Sequence, residues 1–196
     1  MAALHQPVVL GAEPPLTHTR SIGCLTAPHI FSPTECRTII GLGLAEPLTT
    51  GLMQTPLEGY RRCRHRFVME DGDNAWIFQR LQSLVLRVNE QFKFRLANFA
   101  EGMQFTKYVD GDVIHWHIDT GTDVASTRKI SLSVQLSAPT EYEGGTFEMF
   151  PEGEPTFARN QGSVIVFPSY LTHRVTRITN GERYSLVVWA HGPAFS

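Results

Sequence analysis

Residues 129–137 read KISLSVQLS, in which Ile130, Leu132, Val134 and Leu136 alternate with Ser131, Ser133, Gln135 and Ser137. Successive side chains of a β-strand point to opposite faces, so this is a strand with one apolar and one small-polar face. The apolar face needs a layer packed on it. The small polar face suggests a hydrated pocket inside the fold. Working outward, further strand candidates lie at 145–150, 162–167, 172–178 and 183–190, separated by Gly, Pro and Asn signals. Short strands at this spacing point to an antiparallel sandwich or open barrel.

Upstream, Ser32-Pro33-Thr34-Glu35 reads as a helix start, with Ser as N-cap, Pro at the first helical position and Glu completing a capping box. That helix is expected to run to about Leu44. A second is expected from Asn74 to about Phe92, because Trp76, Ile77, Leu81, Leu84, Val85, Val88 and Phe92 recur at three- and four-residue spacing. Residues 1–20 mix Pro, His and Thr without a period and read as a loosely ordered lead. Residues 21–196 read as one domain, with helical support over about 21–100 and a β-core over about 101–192. The expected class is mainly β with flanking helices (α+β), the N-terminal helices packed on one sheet.

Composition agrees with a packed domain of this kind. The 196 residues are 42% hydrophobic and include 12 Phe, 5 Tyr and 3 Trp, enough for a sizeable core. Seventeen basic against nineteen acidic residues leave a net charge of −2, so no global positive field argues for nucleic acid or an anionic membrane. Apolar runs are strand-length, which argues against a membrane span. No basic segment followed by a long apolar one marks a secretory signal. Cys24, Cys36 and Cys63 are odd in number and lack CxxC spacing, so buried thiols in a reducing cytoplasm are expected.

The chemistry-bearing residues are His117-Ile118-Asp119, with His173 54 positions later. On a strand His117 and Asp119 share a face, and a His from an opposing strand would complete a two-His, one-carboxylate face with open positions, as non-haem Fe(II) sites use. Alone, HxD reads as readily as a surface turn or a hydrogen-bonded core pair. Its context includes Thr179-Asn180-Gly181, a hairpin signal between His173 and Arg183. A two-residue Asn-Gly loop would put those two side chains on opposite faces. A three-residue loop with Gly181 left-handed in a bulge pairs His173 with Val187 and brings Arg183 and Ser185 onto its face. The functional reading therefore expects the bulged hairpin.

Together these residues resemble the Fe(II)/2-oxoglutarate-dependent oxygenases, specifically the prolyl-hydroxylase-like branch. The likeness covers roughly residues 20–192. It is carried by Tyr108, His117-x-Asp119, Arg128 opening the KISLSVQLS strand, Glu143-Gly144-Gly145, residues 162–168, His173-Arg174-Val175-Thr176, Gly181-x-Arg183-x-Ser185 and Trp189. It implies a double-stranded β-helix, a jelly-roll or cupin-like barrel, with iron between the sheets. It also implies His117, Asp119 and His173 as iron ligands and Arg183 as the anchor for the distal carboxylate of 2-oxoglutarate. A guanidinium fork matches a carboxylate bidentately, which agrees with that role. Ser185, Tyr108 and Gln135 are expected as further cosubstrate contacts, Gln135 standing where related prolyl hydroxylases often carry a phenol. Trp189 is expected to pack against the pocket.

The implied activity is hydroxylation of an unactivated C–H bond with Fe(II), 2-oxoglutarate and O2, releasing succinate and CO2, with ascorbate as a reductant. The leading substrate is a prolyl residue of a peptide or protein, with a free amino acid or small peptide natural product as the alternative. Arg128 and His115 are candidate substrate contacts, though Arg128 reads equally as a surface residue or the partner of a carboxylate. His115 also opens a cupin-like alternative that uses His115, His117 and His173, and a non-catalytic binding module is the third reading. Nucleic-acid demethylases of this superfamily carry a second Arg six residues past the first, where this chain has Trp189. The run 61–66 places Arg62, Arg64 and Arg66 on one strand face, read first as solvated and second as a contact for an acidic substrate. Residues 120–127 read as a lid or a long loop. Substrate choice is expected to lie in loops around 50–70, 110–128 and 150–160.

Overall fold

The computed structural model describes residues 17–18, 23–52, 61–151, 155 and 158–195. In chain order its elements are β1 (Thr17–His18), β2 (Leu25–Ala27), α1 (Pro33–Leu44), β3 (Thr49–Leu52), β4 (Arg61–Val68), α2 (Ala75–Phe92), β5 (Met103–Tyr108), β6 (Val113–His117), a short 3-10 helix (Asp123–Thr127), β7 (Arg128–Gln135), β8 (Tyr142–Gly144), β9 (Phe147–Met149), β10 (Val164–Pro168), β11 (His173–Val175), β12 (Ile178–Gly181) and β13 (Arg183–His191).

The local signals act as the sequence indicates. Ser32 caps α1, accepting from the Glu35 backbone while the Glu35 carboxylate accepts from the Ser32 backbone, with Pro33 in the first turn. Helix α2 buries Ile77, Phe78, Leu81, Leu84, Val85 and Val88 on one face and ends at a left-handed Lys93. That face packs on the apolar side of β7, where Ile130, Leu132 and Val134 join Val164 and Val166 of β10 and Leu186 and Val188 of β13 in one core. Each such side chain stabilises the fold by about 1.5–3 kcal/mol on burial. The opposite face of β7 is buried too, and its Ser131, Ser133 and Gln135 look into the molecule.

Ten strands run in the order β1-β2-β10-β7-β13-β5-β4-β6-β11-β9, β3 pairs with β4, and β8 and β12 pair separately. The curl is made at β4. Its residues 64–68 pair with β5, whereas Arg61 and Arg62 pair with β6. A major wall and a short minor wall (β6-β11-β9) thus face each other as a half-barrel, with the helices outside the major wall. This is the mainly-β architecture with flanking helices that the alternation implied.

One expectation fails. His173 does not pair with Val187, and no hairpin joins the two strands. His173 pairs with His117 and Met149 in the minor wall, while Arg183 pairs with Tyr108 in the major wall. Thr179-Asn180-Gly181 instead runs within β12 alongside β8. Gly181 is left-handed (φ 76°), and a Cβ there would lie 2.2 Å from the Glu141 carbonyl oxygen. The Asn-Gly pair supplies the positive φ that a tight turn needs, but here it carries the chain from one wall to the other. His173 and Arg183 still meet, because the walls face each other. The lead lies outside the described residues except for Thr17–His18, which pairs with β2. Of the expected substrate loops, residues 53–60, 152–154 and 156–157 are also outside them.

Candidate metal centre

His117 ends β6 and His173 opens β11, directly opposite each other in the antiparallel pair, with ring centroids 4.1 Å apart. Asp119 follows just past the end of β6, where its backbone N–H donates to the Ser169 carbonyl at 2.9 Å. Its carboxylate lies 3.7 Å from Nε2 of both His117 and His173. One donor atom from each of the three residues lies within 4.8 Å of the others. His117 Nδ1 is 2.9 Å from the His115 carbonyl and His173 Nδ1 is 3.0 Å from the Leu171 carbonyl. A carbonyl only accepts, so each Nδ1 carries the proton and each Nε2 keeps the lone pair a metal requires. Phe147 and Phe167 pack on the His173 ring, at 5.5 and 4.7 Å between centroids.

Electrostatics favour the ligating forms. Burial, followed by the neighbouring His173, pushes His117 down to about 4, so its imidazole is neutral. Burial alone would raise Asp119, but His173, His117 and the Ser131 hydroxyl outweigh it and hold the carboxyl below its usual range. Ser131, from the polar face of β7, donates to Asp119 Oδ2 at 2.6 Å. Two imidazoles and one carboxylate, converging from two strands and a bend, are a donor set suited to Fe(II).

The triad lines a cavity of about 480 Å³ with Arg183, Tyr108 and Ser185 on the opposite wall. Arg183 is 2% exposed. Its Nε donates to Gln135 Oε1 at 3.1 Å, and its guanidinium carbon sits 5.1 Å from the Tyr108 ring centroid. Arg183 Nη1 is buried and has no hydrogen-bond partner among the described residues. A buried unmatched guanidinium nitrogen is costly, and a dianion reaching from the triad to Arg183 would satisfy it. Tyr108 is hydrogen-bonded to Ser185, and burial pushes its phenol up to about 12, so it remains a donor.

Three expected contacts are redistributed. Gln135 does not line the cavity. Its Nε2 donates to the Ser137 carbonyl at 2.9 Å and the Tyr142 hydroxyl at 3.1 Å, and its Oε1 is taken by Arg183, so it orients the anchor and has no group left for the cosubstrate. His115 is exposed and off the cavity. Opposite β11, His117 faces His173 and Ile114 faces Val175, so β6 holds one extra residue there. This bulge turns Ile114 inward beside His117 and His115 outward, which removes the ligand set of the cupin-like alternative. His115 contributes its carbonyl to His117 instead. Arg128 does line the cavity, but its guanidinium is paired with Glu101 at 2.6 and 2.7 Å. It also donates to the Asp119 carbonyl at 3.1 Å and stacks on Trp189 at 3.7 Å.

Sequence reasoning passed over Arg61, His65 and Phe67, all on the cavity wall. In the run 61–66 it attended to Arg62, Arg64 and Arg66. Those face outward, where Arg62 meets Asp112 and Arg66 meets Glu46. The signal was present in the same period of two, because the apolar Cys63 and Phe67 alternate onto the face of Arg61 and His65. Residues 123–127 form the 3-10 helix, and Thr120, Gly121, Thr122 and Ala125 edge the cavity.

Comparison with known proteins adds three findings. Residues 103–191 match the model of the 2OG-Fe(II) oxygenase superfamily. A PKHD-type hydroxylase of Shewanella frigidimarina is 27% identical over 129 residues, 61% of this chain and 57% of that protein. One from Delftia acidovorans is 34% identical over 97 residues, 45% of this chain and 42% of that protein. The chain therefore spans about half the length, or less, of these curated relatives. Among solved structures, a Pseudomonas putida prolyl-4-hydroxylase superposes with a TM-score of 0.67 at 22% identity, covering 88% of this chain and 94% of that one. A Trichoplax adhaerens prolyl hydroxylase, in complex with a peptide fragment of hypoxia inducible factor, gives 0.65 at 16% identity, covering 86% and 83%. At these identities the structures establish a shared fold.

Proposed function

We propose that the chain, whose residues 103–191 match the model of the 2OG-Fe(II) oxygenase superfamily, is an oxygenase of that family that hydroxylates a prolyl residue of a peptide or protein. The observation that carries this reading is the unmatched, buried Nη1 of Arg183 in the same cavity as the His117–Asp119–His173 donor set. His117, Asp119 and His173 would hold Fe(II), and Arg183, with Ser185 and Tyr108, the distal carboxylate of 2-oxoglutarate. When bound, iron and 2-oxoglutarate supply the O2-dependent oxidation that places a hydroxyl group on an unactivated C–H bond and releases succinate and CO2.

The remaining work falls to the chain itself. The carbonyls of His115 and Leu171 fix both imidazoles in the ligating tautomer. Ser131 and Arg128 hold Asp119 by its carboxylate and its carbonyl. Gln135 aims the Arg183 fork, and Phe147 and Phe167 keep water from His173. The names of the relatives and the peptide-bound neighbour support a prolyl substrate within a peptide, and ascorbate is the expected reductant. Three buried thiols support a reducing, cytoplasmic setting. No helix among the described residues is long and apolar enough to cross a membrane.

The test is incubation of the protein with Fe(II), 2-oxoglutarate, ascorbate, O2 and proline-containing peptides, followed by mass spectrometry and succinate assay. The expected result is one oxygen atom added to a prolyl ring per succinate released. Oxygenation confined to other residues would overturn the prolyl assignment.

A further inference from the structure

Strand β4 bridges the two walls, and its Arg61, His65 and Phe67 line the cavity. Arg61 lies opposite Ile114, which lies opposite Val175. This row of inward side chains is next to the one formed by His117 and His173. His65 lies opposite Thr106, itself opposite Ser185. Phe67 stands at the mouth, 41% exposed, with its ring centroid 6.4 Å from that of Trp189.

Two polar atoms on this face are buried without a hydrogen-bond partner among the described residues, Arg61 Nη2 and His65 Nδ1. Arg61 Nε donates to Cys63 Sγ at 3.2 Å. Burial pushes the Cys63 thiol up, so it offers no charge to the guanidinium. Arg62 next to it has Asp112, and Arg128 across the cavity has Glu101. No carboxylate among the described residues pairs with Arg61. Fe(II), Asp119, Arg183 and the 2-oxoglutarate dianion together sum to neutrality, which leaves the Arg61 charge uncompensated even in the loaded site. Arg61 is half-buried on the cavity wall with one guanidinium nitrogen sealed off and unmatched, which is costly, and a ligand anion would relieve it.

We propose that Arg61, with His65 beside it, is the recognition point for a carboxylate of the substrate. The preferred substrates are then acids, either with a free carboxylate on the oxidised residue or with an acidic side chain next to it. Phe67 and Trp189 flank the entrance through which the apolar part would lie. This inference rests on the oxygenase reading and names the substrate class for the same site.

The experiment is calorimetric titration of the full chain, loaded anaerobically with Fe(II) and 2-oxoglutarate. The probes are N-acetyl-L-proline against its amide, and N-acetyl-prolyl-glutamyl amide against the glutaminyl analogue. At least one acid is expected to bind about 10–100-fold tighter than its neutral partner, as a charge-assisted contact gives. The pair showing the preference identifies the source of the carboxylate. Arg61→Gln should erase the preference while leaving 2-oxoglutarate affinity intact, and Arg61→Lys should restore part of it. Without ligand, Arg61→Gln should melt at the same temperature as the wild type or higher, because it removes an uncompensated charge. Acids binding no better than amides, equal losses for both in Arg61→Gln, weakened 2-oxoglutarate binding or a lowered melting temperature would each overturn the proposal. The visible charge-transfer band of the same samples separates this failure from that of the oxygenase reading, since only the latter abolishes the band in the wild type.

Discussion

The two faces of β7 belong to two different regions of the molecule. Ile130, Leu132 and Val134 lie in the layer between the major wall and α2, which is apolar and closed. Ser131 and Ser133, one residue along, lie in the layer between the two walls, where the cavity, the triad and the unmatched guanidinium nitrogens are found. The outer layer is built from long, regular elements. The inner layer depends on a bulge in β6, three-residue strands and a glycine crossover. Stability thus resides mainly in one layer and ligand binding in the other, and adjacent residues of one strand allow this division to be tested.

The largest expected effect is on stability. Leu132→Ala should cost about 2–5 kcal/mol in urea unfolding while leaving the metal affinity of the folded protein unchanged. A loss of metal affinity alongside it would mean that the two layers are not separable. Ser131→Ala should do the reverse. It removes the 2.6 Å bond to Asp119 and should weaken Fe(II) or Mn(II) binding by about 10–100-fold, with little change in melting temperature. An unchanged metal affinity would show that the β7 hydroxyl does not support the centre.

The smallest effect at neutral pH comes from Tyr108. Its native phenol titrates at about 12 against an ordinary value of 10.0, because burial raises it. The native state therefore keeps this proton when the unfolded state has begun to lose it. The corresponding stability is complete below pH 10 and declines as pH rises towards 12. Comparing alkaline unfolding of the wild type and Tyr108→Phe isolates this group. Identical curves would mean that Tyr108 does not titrate as a buried phenol.

What could be read from the sequence follows from the range of the interactions involved. Helix α1, helix α2 and the alternation of β7 are set by neighbours three or four residues away or by a period of two, and all three are found where those patterns place them. The HxD spacing singled out His117 and Asp119, the resemblance added His173 and Arg183, and the fold brings all four to one cavity. The partners of His173 were not legible. Asn180-Gly181 permits both a tight turn and a crossover, and only the pairing of β12 with β8 decides between them. The outward turn of His115 depends on a bulge that no local residue announces. Gln135 is committed to Arg183, Ser137 and Tyr142, two of which lie elsewhere in the chain. Arg61 was masked by the outward-facing arginines that follow it.

The central claim, that the His117–Asp119–His173 centre and Arg183 form one site for Fe(II) and 2-oxoglutarate, is tested most directly by anaerobic titration of the metal-free protein with both. The visible charge-transfer band should appear in the wild type, be absent in His173→Ala, and require at least on the order of tenfold more 2-oxoglutarate in Arg183→Ala. A folded, iron-loaded wild type that shows no band at saturating 2-oxoglutarate would contradict the account.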